Sequence, residues 1–247
     1  MTDTPKVRLF VDLTLAAGAP VALSREQAHY LGGVMRHAAG DMVALFNGRD
    51  GEWRARIDHI HRSNAALHCV DLSRAQTAAP DLWLLAAPIR KARFELVVEK
   101  ATELGVAAIH PVVTRRSAVR EAKAERLAAI AIEAAEQCER LTVPAIADAE
   151  PLARLLDRWP AGRRLFLCDE ARDAPVMATA LAGAPAGPAA ILIGPEGGFA
   201  PEERAMLRAR PFVTPVSLGP RILRAETAAI VAVALWQALA GDPAANP

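Results

Sequence analysis

The stretch from Ala189 to Ile230 constrains this chain more than any other. An apolar run, Ala189-Ala-Ile-Leu-Ile193, stops at Gly194-Pro-Glu-Gly-Gly-Phe199. A short apolar run bounded by a Gly/Pro cluster reads as a strand buried on both faces, and open α/β sheets bind ligands beyond the carboxyl ends of such strands. Gly197-Gly198 supplies bare backbone that can take positive φ, approach a ligand closely and donate its N–H groups. A second loop follows the same plan. Phe212 to Leu218 reads as a short strand, Gly219-Pro220 as a turn, and a long apolar helix starts near Ala225. Arg221, Arg224, Glu226 and Thr227 crowd that helix entry. Alone, either loop reads as a tight turn before a capped helix, with Thr227 as the cap and Glu226 complementing the helix dipole. Together they favour a ligand site at two converging strand ends.

Around this stretch strands and helices alternate. Leu82 to Ala87, Val106 to Val113 and Leu165 to Cys168 read as strands, and Lys91 to Leu104 and Ala122 to Arg140 as helices. That alternation gives an α/β fold with a mainly parallel sheet. The first of these helices carries Phe94, Val97, Val98, Ala101 and Leu104 on one stripe and stops at Gly105, a C-terminal cap. Asp169-Glu170 follows another strand end and is expected to border the site as a third wall, although solvated carboxylates are the plainer reading. Arg115, Arg116, Arg120, Lys123 and Arg126 stand against Glu121 and Glu125, a local excess of positive charge that suits a phosphate track.

Upstream, residues 73–80 have the small, polar, Pro-terminated composition of a linker and divide the chain into 1–74 and 80–247. In the first part, Val7 to Val11, Met42 to Phe46, Trp53 to Ile57 and Ala66 to Val70 alternate with turn signals that include Asn47-Gly48 and Asp50-Gly51. That is the spacing of a small β-barrel. Ser24 to His37 reads as a helix capped by Ser24. Nine Lys/Arg stand against eight Asp/Glu in residues 1–74, so charge leaves a basic RNA-binding face and an ordinary solvated surface equally open.

The 247 residues, 52% of them hydrophobic, suffice for a packed core, and the formal net charge of +1 means that any nucleic-acid contact must come from local patches. Cys69, Cys138 and Cys168 lack metal or redox spacing, so reduced thiols are expected. His59 and His61 share one face of a strand without further ligands at hand, and no metal is expected. The N-terminus lacks an apolar core of signal-peptide length and no segment has the length of a membrane span, so a cytoplasmic protein without membrane contact is expected.

Gly194-Pro-Glu-Gly-Gly-Phe199 followed by Leu218-Gly-Pro-Arg-Ile-Leu-Arg-Ala-Glu-Thr-Ala228 resembles the paired signature of the bacterial 16S ribosomal RNA uracil N3-methyltransferases, the small-subunit methyltransferase E family of the SPOUT superfamily. Arg8-Leu-Phe10, Gly33-Val-Met-Arg36 with Gly40-Asp41, the helix from Lys91 to Gly105 and Glu136-Gln-Cys-Glu-Arg140 resemble further family positions. His37-Ala-Ala39 departs, standing where a leucine and a basic residue are expected. The resemblance implies a SPOUT-type α/β domain with a C-terminal trefoil knot, preceded by a small PUA-like β-barrel that binds RNA. It also implies a homodimer that uses S-adenosylmethionine to methylate N3 of a specific uridine in 16S rRNA within the small ribosomal subunit. Two alternatives remain open: a SPOUT enzyme with another RNA target, and a noncatalytic RNA-binding assembly protein.

Neither Gly-Lys-Ser/Thr nor Gly-x-Gly-x-x-Gly occurs in the glycine loop, which disfavours NTP and NAD. On the resemblance, the cofactor is held by Leu167, by Ile193, Gly194, Pro195, Glu196, Gly197 and Gly198, and by Leu218, Gly219, Ile222 and Leu223, with Arg224, Glu226 and Thr227 at the helix entry. Methylating a ring nitrogen needs alignment, exclusion of water and loss of the N3 proton. Arg224 is the candidate cation for the developing ring anion and Glu196 the candidate base; an Arg224–Glu226 ion pair is the plainer reading. Arg8, Arg36, Arg115, Arg116 and Arg140 are the candidate RNA-binding residues, Arg140 having the alternative of complementing a helix C-terminus.

Overall fold

The computed structural model describes residues 5–171, 173–182 and 187–241; Met1 to Thr4, part of the stretch read above for a signal peptide, lie outside them. The chain divides into two compact units, one of residues 1–78 and 135–143 and one of residues 79–134 and 144–247.

The first unit holds strands β1 (Arg8–Phe10), β2 (Pro20–Ala22), β3 (Met42–Phe46), β4 (Glu52–His61) and β5 (Asn64–Arg74), with helix α1 (Arg25–His29) between β2 and β3. The sheet order is β1-β3-β4-β5-β2, with β1 parallel to β3 and the other pairs antiparallel. All five strands send side chains into one core that includes Leu9, Val21, Leu45, Ile57 and Leu67. The β3–β4 turn is set by Asn47, whose side-chain oxygen accepts the N–H groups of Arg49 and Asp50 at 2.9 and 2.8 Å. Gly51 must be glycine, because its φ is +81° and a Cβ there would lie 2.4 Å from the Arg74 carbonyl oxygen. The helix expected from Ser24 to His37 is shorter. Ser24 and Gln27 form its capping box, but α1 ends at His29 and a single π-helical turn, Tyr30–Val34, follows. Gly32-Gly33, poor helix formers, lie in that turn, and Arg36 then takes φ +59°, outside any helix.

Within this unit Arg8 ties residues 135–143 to the sheet. Its guanidinium donates to the carbonyls of Ala135 at 2.9 Å and of Glu136 and Arg140 at 3.0 Å, pairs with Glu52 at 2.6 Å and stacks over the Phe46 ring. Helix ends leave their last carbonyls unpaired, and a buried guanidinium fork satisfies several at once.

The second unit contains β6 (Leu82–Ala86), α2 (Lys91–Glu103), β7 (Ala108–Val113) and α3 (Ala124–Gln137), whose residues from Ala135 onward count with the first unit. Then come β8 (Ala145–Ile146), β9 (Glu150–Pro151), α4 (Leu152–Asp157), β10 (Arg164–Cys168), α5 (Met177–Ala182), β11 (Ala189–Ile193), α6 (Pro201–Arg208), β12 (Val213–Val216) and α7 (Ala225–Ala240). The sheet runs β12-β10-β11-β6-β7-β8, with β9 also on β7, and every pairing is parallel. β11 is buried at all five positions, as a central parallel strand covered on both faces must be. α7 buries Ala225, Ala229, Ala232, Val233 and Trp236, and its Gln237 donates to the Leu104 carbonyl at the end of α2. At the amino ends of the strands, the Arg163 side chain donates to the Asp81 carboxylate and to the carbonyls of Asp81 and Ala189, and lies 3.7 Å over the Trp83 ring.

On β7, His110 packs against Trp83 with ring centroids 4.6 Å apart, and both its ring nitrogens are buried without a hydrogen-bond partner among the described residues. Burial, opposed in part by the Glu150 carboxylate and reinforced by Arg163 and Arg158, holds its pKa below the ordinary histidine value. A depressed pKa means that the unfolded chain takes up this proton first as pH falls. The stability His110 allows is therefore full above about pH 6.5 and is lost below it. His110→Phe keeps the ring packing and removes the titration. Wild-type melting temperature should fall more steeply than the variant's between about pH 7.5 and about pH 5; parallel curves would contradict this reading.

Candidate functional site

Three strands end at one height. Cys168, last in β10, is in register with Ile193, last in β11, and with Val216, last in β12. Their loops emerge side by side and, with the start of α7, line a cleft of about 550 Å³. One wall is Cys168, Asp169 and Glu170; the second is Ile193 to Gly198; the third is Ser217 to Gly219 with Arg221 to Ala225 and Ala228. Much of this surface is backbone or aliphatic carbon.

Glycine is required at particular points. Gly198 has φ +65°, donates its N–H to the Pro195 carbonyl at 2.9 Å, and would place a Cβ 2.3 Å from the Glu170 carboxylate. A Cβ on Gly194 would meet the ring of buried Phe199 at 2.9 Å. Gly197 has no such constraint, a Cβ there lying 3.8 Å from Cβ of Arg116. In the third wall Gly219 has φ +109° and donates its N–H to the Ser217 hydroxyl at 3.2 Å.

The first wall is held by charge. The Asp169 carboxylate is fully buried and lies 3.0 Å from Arg204 and 2.8 Å from Arg208, both on α6. Arg204 also pairs with Glu170, and Arg208 with Asp173. The Arg208 hydrogen bond holds the Asp173 carboxyl below its ordinary range. Burial first, then the Asp169 charge, push the Cys168 thiol up to about 12, so it stays protonated at neutral pH and is no nucleophile.

The cleft brings together Ile193, Gly194, Pro195, Glu196, Gly197 and Gly198 with Leu218, Gly219, Ile222, Leu223 and Arg224. Leu167 is not in its lining: it is fully buried in the core one residue short of the strand end. Glu226 turns the other way and pairs with Arg93 of α2, so the Arg224–Glu226 pair does not form. Thr227 is exposed and is not the helix cap; Arg224 occupies the N-cap position, without a side-chain cap bond. Arg221 and Arg224 are exposed, with no hydrogen-bond or ion-pair partner among the described residues, as is Glu196. Cys168, Asp169, Glu170, Ser217, Arg221, Ala225 and Ala228 complete the lining, and the strand register brings Cys168 beside Ile193.

The candidate RNA residues separate. Arg36, Arg115 and Arg116 are exposed. Arg116 donates to the Gly197 carbonyl at 2.9 Å, so the basic loop touches the second wall of the cleft. Arg8 is a correction: its side chain is 7% exposed and all its contacts are internal, so it offers no free cation. Arg140 is half-buried and bonded to Thr142, and the carbonyls at the end of α3 are satisfied by Arg8 instead. Among the described residues no cluster of metal-ligating side chains occurs and no helix is long and apolar enough to cross a membrane.

Comparison with known proteins gives a consistent picture. The RNA methyltransferase domain model matches residues 77–237, and the RNA methyltransferase PUA domain model matches residues 23–67. The ribosomal RNA small subunit methyltransferase E of Rickettsia conorii is 32% identical over 228 residues, covering 92% of this chain and 93% of that protein. Its Synechocystis namesake is 34% identical over 226 residues, covering 90% of this chain and 74% of that protein. A Legionella pneumophila methyltransferase solved with bound SAM superimposes with a TM-score of 0.84 at 31% identity, covering 98% of this chain and all of that one. The Neisseria gonorrhoeae ribosomal RNA small subunit methyltransferase E bound to S-adenosylmethionine gives 0.82 at 28% identity, covering 96% and 98%.

The glycine geometry predicts unequal effects within one dipeptide. Gly198→Ala should destabilise by about 1–2 kcal/mol, the cost of a side chain in the left-handed region, and Gly197→Ala by under about 0.5 kcal/mol. Urea denaturation of both variants measures this; equal losses would show that the turn does not depend on the left-handed residue.

Proposed function

The chain belongs to the ribosomal RNA small subunit methyltransferase E family, and we propose that it methylates N3 of one uridine in 16S rRNA. It is an S-adenosylmethionine-dependent RNA methyltransferase. The observation that carries the substrate-level reading is that the two signature loops line one cleft, with Arg224 exposed among its lining residues. The cleft fits such a cofactor: about 550 Å³ lies within the range of small-molecule sites, Gly194, Gly197 and Gly198 leave part of its lining without side chains, and the glycine loop lacks the Gly-Lys-Ser/Thr of a nucleotide-phosphate loop.

When bound, S-adenosylmethionine supplies an electrophilic methyl group. Backbone groups of Gly194 to Gly198 and Leu218 to Leu223 would hold it, and the aliphatic walls exclude water from the transfer. Arg224, placed by the N-cap geometry of α7, stabilises negative charge on the uracil oxygens as the N3 proton leaves. Glu196, exposed on the second wall, is the carboxylate nearest in sequence to the glycine turn and the candidate acceptor of that proton. Arg36, Arg115 and Arg116 are proposed to hold RNA phosphates.

The same reading includes a homodimer, a trefoil knot in the C-terminal segment, a cytoplasmic setting, and 16S rRNA within the small ribosomal subunit as substrate. Ile222, 79% exposed at the cleft mouth, is apolar surface that a second subunit would cover.

Mass mapping of 16S rRNA from cells lacking the protein should show loss of one uridine N3 methyl; an unchanged level overturns the proposal. Arg224→Ala should lower the methylation rate at saturating RNA by about 10–100-fold while S-adenosylmethionine affinity stays within about twofold. A purely cofactor-binding defect would remove Arg224 from the chemistry.

A further inference from the structure

A second cleft, of about 520 Å³, opens at the carboxyl end of β7, and among the described residues none lines both clefts. Its floor is apolar, formed by Val113, Leu152 and Met206. Arg115, Arg120 and Arg210 line it as well. Arg120 is exposed and has no partner among the described residues, whereas Arg115 and Arg210 hold exposed ion pairs with Glu202 at 3.5 Å and Asp157 at 3.1 Å. Exposed pairs of this kind are weak and readily exchanged for a phosphate.

Glu203 distinguishes this cleft from a simple anion site. The residue is 7% exposed; one carboxylate oxygen accepts the Arg115 N–H at 3.1 Å, and the other is buried with no partner among the described residues. A buried carboxylate oxygen left unpaired is unfavourable and calls for an N–H donor. Phosphate alone suits the arginines but not Glu203. A small cation suits Glu203 but not three arginines. An acidic peptide would meet Glu202 and Glu203.

A nucleotide satisfies all three features: base on the apolar floor, phosphate on the arginines, and an amine on the base edge donating to Glu203. We propose that this cleft is a subsite for a nucleotide flanking the target in the RNA substrate, and that it selects a base carrying an exocyclic amine over uracil. The assignment rests on the RNA methyltransferase reading above. It also explains why the loop after β7 borders both clefts, Arg115 lining this one while Arg116 reaches Gly197 of the other. A flanking nucleotide seated here places its neighbour on the side of the cofactor loop.

Two exposed positions test the subsite without entering the core. Arg120→Ala removes the free cation, and Ala153→Trp, at an exposed lining position of α4, occupies the cleft. With small ribosomal subunits as substrate, each should raise KM for RNA about tenfold, with kcat and S-adenosylmethionine affinity within about twofold of wild type. Values of KM within twofold for both variants overturn the proposal. Should the wild-type protein transfer no methyl to RNA, the methyltransferase reading fails on its own, and the subsite is decided by nuclear magnetic resonance of the Met206 methyl. Cytidine 5′-monophosphate should then give a saturable shift that uridine 5′-monophosphate gives only at higher concentration, and that Ala153→Trp abolishes. Equal shifts from both nucleotides and inorganic phosphate mean an anion site without base reading, and no shift means water alone on Glu203; either overturns the proposal.

Discussion

The parallel register of β10, β11 and β12 is the constraint from which the site follows. Because Cys168, Ile193 and Val216 lie at one height, three loops that are distant in sequence leave the sheet together. Backbone hydrogen bonding fixes that register, and burial on both faces keeps it, since a slip by one residue would exchange the side chains of the two faces. β11, without an exposed position, is the least able to slip. The cleft is thus a consequence of the sheet, and its side chains are refinements.

Arginine does two separate jobs in this protein. Arg8 and Arg163 are buried staples, each spreading one guanidinium over several backbone carbonyls and an aromatic ring. Arg204 and Arg208 clamp buried Asp169 and so fix the first wall of the cleft. Arg36, Arg116, Arg120 and Arg224 reach solvent. A formal charge near zero therefore conceals exposed cations on the loops beside both clefts.

The sheet and its long helices were legible in the sequence, because burial on both faces writes an uninterrupted apolar run and a helix on a sheet writes a stripe. Lys91–Glu103 lies where its apolar stripe and Gly105 put it, and Gly105 takes φ +82°. The short elements α4, α5 and α6 were not legible, since six to eight residues carry less than three turns of pattern. Nor was the early end of α1, where a capping box starts a helix that Gly32-Gly33 does not sustain. Side-chain roles were the least legible. Arg8 is spent on hydrogen-bond partners 44 to 132 residues away, and Glu226 on Arg93, 133 residues away, so no local pattern reveals either. The second cleft draws on three separate stretches of chain and left no motif at all.

The central claim is that two loops separated in sequence act as one cofactor-binding surface. Hydrogen–deuterium exchange of the backbone amides, with and without S-adenosylmethionine, tests it most directly. The account predicts that the cofactor slows exchange in both Gly194–Phe199 and Ser217–Ala225, at the same concentration dependence, while Val113–Thr114 on the second cleft is unaffected. Protection of only one of the two loops, or of the second cleft in their place, would contradict it.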